Sequence, residues 1–307
     1  MLRFFTPLAP ASYFTVFSSI HSFIIGLLPF FLPALIWQQT QQLATLTEFV
    51  SWTGAGYALA LIIWHKLFSL RYWKLLICLS FTFEISLIYL VLMQFENTNL
   101  AILGLLNGLF NCCYWMIQRV LFDRISDQSN SGRLFGNLQL YLGFSLKLGI
   151  LIGGYFMQSQ PWLILILVSI AAALFLLPNL YNQQLPALLY QDKVQPLRNS
   201  SLSWREKLIF IIDGPFLYLE SYLWILSIFN LTNNSTERFS ITIIALSLTL
   251  GVIFFFVKNT IDKQEQQRLY LITVVLYALS WFIRGAVTNE WNGFVISLTL
   301  LAISFAT

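Results

Sequence analysis

Asn182-Gln183-Gln184, then Asp192-Lys193, then Pro196-Leu197-Arg198, then Arg205-Glu206-Lys207: residues 182–207 are the one long polar stretch in this chain. On either side of it lie hydrophobic runs, six before and three with the start of a fourth after. They fall near residues 13–37, 46–68, 73–94, 99–122, 136–157, 162–180, 207–230, 239–257 and 268–286, with a tenth beginning near 292. Each complete run has about the 20 residues that a helix needs to cross a hydrocarbon core. The polar stretch therefore reads as a link between two sets of helices. The spacing predicts an N-terminal six-helix bundle over 1–181, a cytoplasmic inter-bundle segment over 182–206 and a partial C-terminal bundle over 207–307. The predicted fold is an all-α polytopic membrane protein with about nine complete transmembrane helices and a partial tenth.

Composition supports a bilayer. Hydrophobic residues make up 58% of the 307, charged residues 10%, and the mean hydropathy is +0.73. Water-soluble domains carry about a quarter charged residues, too many for this chain to imitate. Strict alternation over about ten residues, the mark of a membrane barrel, is absent, so the runs are helices. The net charge of +4 does not suggest a nucleic-acid partner, because the bases sit in short links beside hydrophobic runs. Cys78, Cys112 and Cys113 lie inside apolar runs at no metal-binding spacing and read as small packing residues. The run 13–37 exceeds the core of a cleavable signal, about 7–15 residues.

The bases alternate in position. Of the 17 Lys/Arg, fourteen fall in the N-terminus and in alternate links: Arg3, Lys66, Arg71, Lys74, Arg119, Arg124, Arg133, Lys193, Arg198, Arg205, Lys207, Lys258, Lys263 and Arg268. Arg238 and Arg284 lie on or near the opposite side and Lys147 lies mid-span. The positive-inside bias then places the N-terminus and residues 182–207 in the cytoplasm, and a bacterial cytoplasmic (inner) membrane is the expected location.

Polar side chains inside the runs are the functional candidates, since an ionisable group at a helix centre costs about 2.5–3.5 kcal/mol to insert. His21, Glu84, Lys147 and Glu220 lie near the middle of their spans, with Glu84 and Lys147 candidates for a buried ion pair. Asn107, Asn111, Tyr114 and Gln118 recur at intervals of four, three and four, along one helical face. Asp213, Glu220, Trp224 and Ser227 make a second stripe, and Ser18, His21 and Ser22 a third. Three stripes favour a shared aqueous cavity. Within it His21, Asn107, Asn111, Tyr114, Gln118, Lys147 and Trp224 are solute-binding candidates, and Glu220 and Asp213 proton-coupling candidates. A carboxyl neutral when occluded and ionised when wetted suits proton coupling. Gly214-Pro215 interrupts the seventh run; Pro29 and Pro33 in the first read as ordinary kinks. Gly104-Leu-Leu-Asn-Gly108 and Gly149-Ile-Leu-Ile-Gly153 set small residues one turn apart, permitting close helix approach. No HExxH, GxSxG or GxxxxGK pattern occurs, and with only two histidines the sequence suggests neither an enzyme nor a metal or cofactor site.

Phe122-Asp123-Arg124, Asn130 to Gly136 (Asn-Ser-Gly-Arg-Leu-Phe-Gly), then Gly143, Gly149 and Gly153-Gly154, is similar to the R-G-R-x-x-G entry and glycine-rich fifth helix of the major facilitator superfamily. With the division into six spans and a remainder, the chain resembles that family of secondary transporters. It departs from it between spans 2 and 3, where Arg71 and Lys74 stand without the family's acid; Asp262, Lys263 and Arg268 match better between spans 8 and 9. The resemblance implies that spans 1, 4, 7 and 10 line a central cavity, that spans 2, 5, 8 and 11 flank it, and that Arg71, Lys74, Arg133, Asp262, Lys263 and Arg268 form a cytoplasmic gate. Glu84, on span 3, would fall in the supporting layer. It also implies that the protein continues past residue 307, since the last run is too short to span. The expected activity is secondary active transport of a small polar or zwitterionic organic solute by alternating access, coupled to protons, by a monomer whose partners are that solute and the bilayer. Two alternatives stand beside it. A ten-span drug/metabolite-type carrier fits the length, but its five-plus-five repeat puts the midpoint after span 5, where the link is short. A non-transporting scaffold or receptor would have little use for polar residues mid-span.

Overall fold

The computed structural model describes residues 10–67, 73–94, 99–125, 131–157, 163–164, 166–168, 170–171, 204, 208, 222–261, 266–286, 292, 295–296 and 299–300. Every regular element among them is helical. The chain separates into two compact units, Met1–Leu226 and Ser227–Thr307.

In the first unit the order is α1 (Pro10–Leu27), a 3-10 turn at Pro29–Phe31, α2 (Leu32–Thr40), α3 (Leu43–Leu67), α4 (Trp73–Gln94), α5 (Leu100–Ile125) and α6 (Ser131–Phe156). The helix α7 (Tyr222–Leu231) begins at its end. The second unit holds α8 (Thr236–Ile261) and α9 (Gln266–Ala286). Among the described residues four helices are long and apolar enough to cross a membrane (within α3, α4, α5 and α6), or five if α1 and α2 count as one broken span. The predicted first run is thus not one straight helix. Pro29 and Pro33, each lacking an amide hydrogen, open a turn where the axis bends by 41°. α2 stops at Gln41, whose left-handed backbone (φ 51°) lets its amide cap the Trp37 carbonyl at 2.8 Å.

Two helix pairs pack backbone to backbone. A Cβ added to Gly108 of α5 would collide with the Thr53 carbonyl oxygen of α3, and one on Gly56 of α3 with the Leu105 carbonyl. Likewise a Cβ on Gly149 of α6 would strike the Phe23 carbonyl of α1, and one on Gly153 the Leu27 carbonyl. Both glycine pairs read from the sequence thus lie in tight interfaces, as packing without a hydrophobic drive requires.

The same contacts fix helix directions. Phe23 meets Gly149 and Leu27 meets Gly153, so α1 and α6 are parallel. Phe49 meets Gly104 and Thr53 meets Gly108, so α3 and α5 are parallel. Phe17 and His21 meet Phe81 and Glu84 in order, so α1 and α4 are parallel. Ser22 meets Tyr114, while Ile25 shares a cavity with Asn107, earlier on α5, so α1 and α5 are antiparallel. Five successive segments therefore alternate, as consecutive crossings of a bilayer must. Outward, α6 shows a stripe of Leu140, Tyr141, Phe144, Leu148, Leu151 and Tyr155, with Leu140 and Phe144 71% exposed. An apolar face of that size suits lipid rather than water.

Candidate functional site

A cavity of about 300 Å³ lies within the first unit, between the α1–α2 break, α3, α5 and the start of α7. The break contributes Ile25, Pro29, Phe30, Leu32 and Pro33; α3 contributes Tyr57; α5 contributes Asn107, Phe110, Asn111 and Trp115; α7 contributes Tyr222 and Ile225. The prolines read as plain kinks thus shape the wall. By losing backbone hydrogen bonds at the bend, they turn the chain aside and leave room behind it.

Asn107 organises the polar part. Its Nδ2 donates to Tyr222 Oη at 3.1 Å and to Thr53 Oγ1 at 3.4 Å, tying α5 to α7 and α3. Asn111 Nδ2 donates back to the Asn107 carbonyl at 2.8 Å and to its Oδ1 at 3.0 Å. Phe49 sets its ring edge-on to Tyr222, with centroids 6.1 Å apart. The amides are therefore held in place by the protein itself, with an indole, phenols and aliphatic surface beside them.

The other half of the α5 stripe does different work. Tyr114 turns away from the cavity into a fully buried cluster with α1 and α4, and Gln118, one turn further on, is buried and is not among the cavity's lining residues. Tyr114 Oη donates to the Ser18 carbonyl at 3.4 Å and lies 3.3 Å from Ser22 Oγ. His21 Nδ1 stands 3.3 Å from Glu84 Oε2, and both side chains are 0% exposed. The imidazole sits among the rings of Phe81 (4.6 Å, 24°), Phe110 (5.7 Å, 19°) and Tyr114 (4.1 Å, 38°). Phe110 is thus shared, one side closing the cavity and the other covering His21.

These positions correct two expectations. Glu84 is paired with His21 rather than Lys147, because α1 and α4 run parallel at the register that brings their mid-span polar groups together. His21 is separated from the cavity by Phe110 instead of lining it. Lys147 on α6 and Trp224 on α7 are half-buried and are not among the cavity's lining residues. Asp213, Glu220, Arg71, Asp262 and Lys263 lie outside the described residues, as do the side chains of Lys74, Arg133 and Arg268. Among the described residues no group of three or more His, Cys, Asp or Glu is placed to hold a metal. No protein-family model matches the chain, and no curated protein matches it.

Tyr57, Phe110, Trp115 and Tyr222 line the cavity without having been singled out in the sequence. In an apolar run an aromatic ring facing a cavity has the same signature as one facing lipid. Only the hydroxyl of Tyr222, opposite Asn107 on another helix, marks the difference, and that opposition needs the fold.

Proposed function

We propose that this protein is a secondary transporter of a small organic solute, working by alternating access in a bacterial cytoplasmic membrane, and not an enzyme. The observation that carries the reading is the preformed cavity beside the broken first span, with Asn107 and Asn111 fixed in its wall. The resemblance to the major facilitator superfamily supports it, since the lining residues come from predicted spans 1, 2, 4 and 7. The lining pairs amides and phenols with an indole, prolines and aliphatic side chains. That favours a solute with uncharged hydrogen-bonding groups on one side and an apolar or aromatic face on the other.

The test begins with thermal-shift binding of the purified chain against a panel of neutral sugars, nucleosides and aromatic amides, with zwitterionic amino acids for comparison. A ligand specific to the folded state stabilises it by RT ln(1 + [L]/Kd). Counterflow of each stabilising solute in proteoliposomes then follows. Saturable counterflow of a neutral member, lost in Asn107→Ala, is the expected result. Binding without counterflow favours a membrane receptor, and neither binding nor counterflow across the panel defeats the proposal.

A further inference from the structure

Besides the His21–Glu84 pair, α1, α4 and α5 each carry a further buried polar side chain. Ser18 stands one turn N-terminal to His21 on α1, and Ser80 one turn N-terminal to Glu84 on the parallel α4. Gln118 stands one turn C-terminal to Tyr114 on the antiparallel α5. All three therefore fall on the same side of the His21–Glu84 pair, toward the N-terminal end of α1, while the cavity lies on the other side beyond Phe110. Ser18 Oγ, Ser80 Oγ and Gln118 Nε2 are buried without a hydrogen-bond partner among the described residues, as are both nitrogens of His21 and both carboxylate oxygens of Glu84, whose 3.3 Å approach is an ion-pair distance rather than a hydrogen bond. A seam built only for packing would not carry so much unused hydrogen-bonding capacity.

The charge state of the pair follows from its surroundings. With one exchangeable proton between them, whether as imidazolium and carboxylate or as imidazole and carboxylic acid, His21 and Glu84 are neutral as a unit. Removing that proton leaves a bare carboxylate, and adding another leaves an unpaired cation. Among the rings of Phe17, Phe81, Phe110 and Tyr114 either net charge is heavily penalised. The facing helices offer no relief among the described side chains. α5 presents the Tyr114 phenol, α4 has no ionisable group near Glu84, and Lys147 on α6 makes no ion pair with it.

We infer that His21 and Glu84 form a single proton-binding site behind the cavity wall, loaded and emptied past Ser18, Ser80 and Gln118 from the side of the α1 N-terminus. A hydronium ion gives up its proton and leaves water; on release water takes the proton back, and only N–H and O–H bonds change. The site supplies the coupling ion for the transporter proposed above and rests on that reading for its role, though proton binding itself does not.

The test is infrared difference spectroscopy of the full chain in lipid nanodiscs, titrated with acid and exchanged into D2O. A titrating proton-linked band is expected, either the carboxyl C=O stretch of Glu84 or an imidazolium ring mode of His21, and it is lost or displaced along the pH axis in both Glu84→Gln and His21→Asn. The double variant His21→Asn/Glu84→Gln, which removes both ionisable groups together, should melt cooperatively and lack the band. Ser18→Ala with Ser80→Ala should slow the deuterium shift of the band without moving its midpoint, an effect that a purely structural ion pair would not show. A titrating band unchanged in both Glu84→Gln and His21→Asn, or a folded wild type with neither a titrating carboxyl nor a titrating imidazole, overturns the site. Uptake of the same solute panel in parallel separates the two readings. A protein that binds the proton yet moves no solute retires transport and keeps the site; one that moves solute with no band dependent on Glu84 or His21 does the reverse.

Discussion

Replacing Gly108 with alanine tests whether α3 and α5 touch through their backbones. The new Cβ would meet the Thr53 carbonyl oxygen, the Tyr57 amide nitrogen at 2.5 Å and the Gly56 carbonyl carbon at 2.8 Å. All three are main-chain atoms, so no rotamer change relieves the clash and the helices must part. Overpacking of this kind costs about 1–3 kcal/mol, while alanine returns about 1 kcal/mol of helix propensity over glycine. The net loss is therefore roughly 0–2 kcal/mol. Gly54→Ala and Gly143→Ala are matched controls, since nothing lies within 4 Å of a Cβ at either position. They should gain about 0.5–1 kcal/mol. The propensity term is common to both classes, so the difference between them isolates the clash at about 1–3 kcal/mol. Reversible unfolding of the purified variants in mixed detergent–SDS micelles reads it directly. Gly149→Ala should repeat the loss at the α1–α6 interface, where the obstacle is the Phe23 carbonyl. Equal shifts for Gly108→Ala and Gly54→Ala, of either sign, would refute the close packing.

Asn107→Ala removes the bonds of its amide to Tyr222, Thr53 and Asn111, while Tyr222 keeps Thr53 and Asn111 keeps the backbone carbonyl of residue 107, and should cost about 0.5–1.5 kcal/mol in the same unfolding assay; a neutral result would mean that the network is not formed. Gln41→Gly should stabilise by about 1 kcal/mol, because the left-handed φ of 51° strains any residue with a Cβ, and a loss would show that the Gln41 side chain matters more than its backbone. For topology, single cysteines at Gln41 and Gln195 in a cysteine-free background should react oppositely with an impermeant thiol reagent in intact cells, Gln41→Cys labelled and Gln195→Cys protected. The reverse pattern would invert the orientation.

Much of the helical layout was legible in the sequence. The run 73–94 coincides with α4, and the other described helices overlap their predicted runs, since an uninterrupted apolar stretch flanked by charge leaves little freedom in where a helix ends. The glycine pairs were legible for a similar reason, being local patterns with a single packing use. What failed was registry between helices. Periodicity shows that Glu84 and His21 are both buried, but not that α4 slides to the height at which they meet, because that depends on loop lengths and on every side chain between. The α5 stripe was read as one surface, whereas Asn107 and Asn111 face the cavity, Tyr114 faces α1, and Gln118 is buried outside the cavity lining. A helix at 3.6 residues per turn drifts around its axis over three turns, and the division falls where Phe110 intervenes.

The parallel pairing of α1 with α6 has a consequence for synthesis. Phe23 and Gly149, which touch in the finished protein, are separated by three intervening membrane-length helices. At about 5–20 residues per second, a ribosome takes roughly 6–25 s to bridge that gap. For that time the groove-forming face of α1, with Gly26 at its centre, has no permanent partner and must be shielded by the insertion machinery or by passing helices. α1, made before α3, α4 and α5, is thus among the last of these helices to find its seat. Nascent chains stalled before residue 131 would display this unmated face as a degradation signal, while chains released after α6 would not.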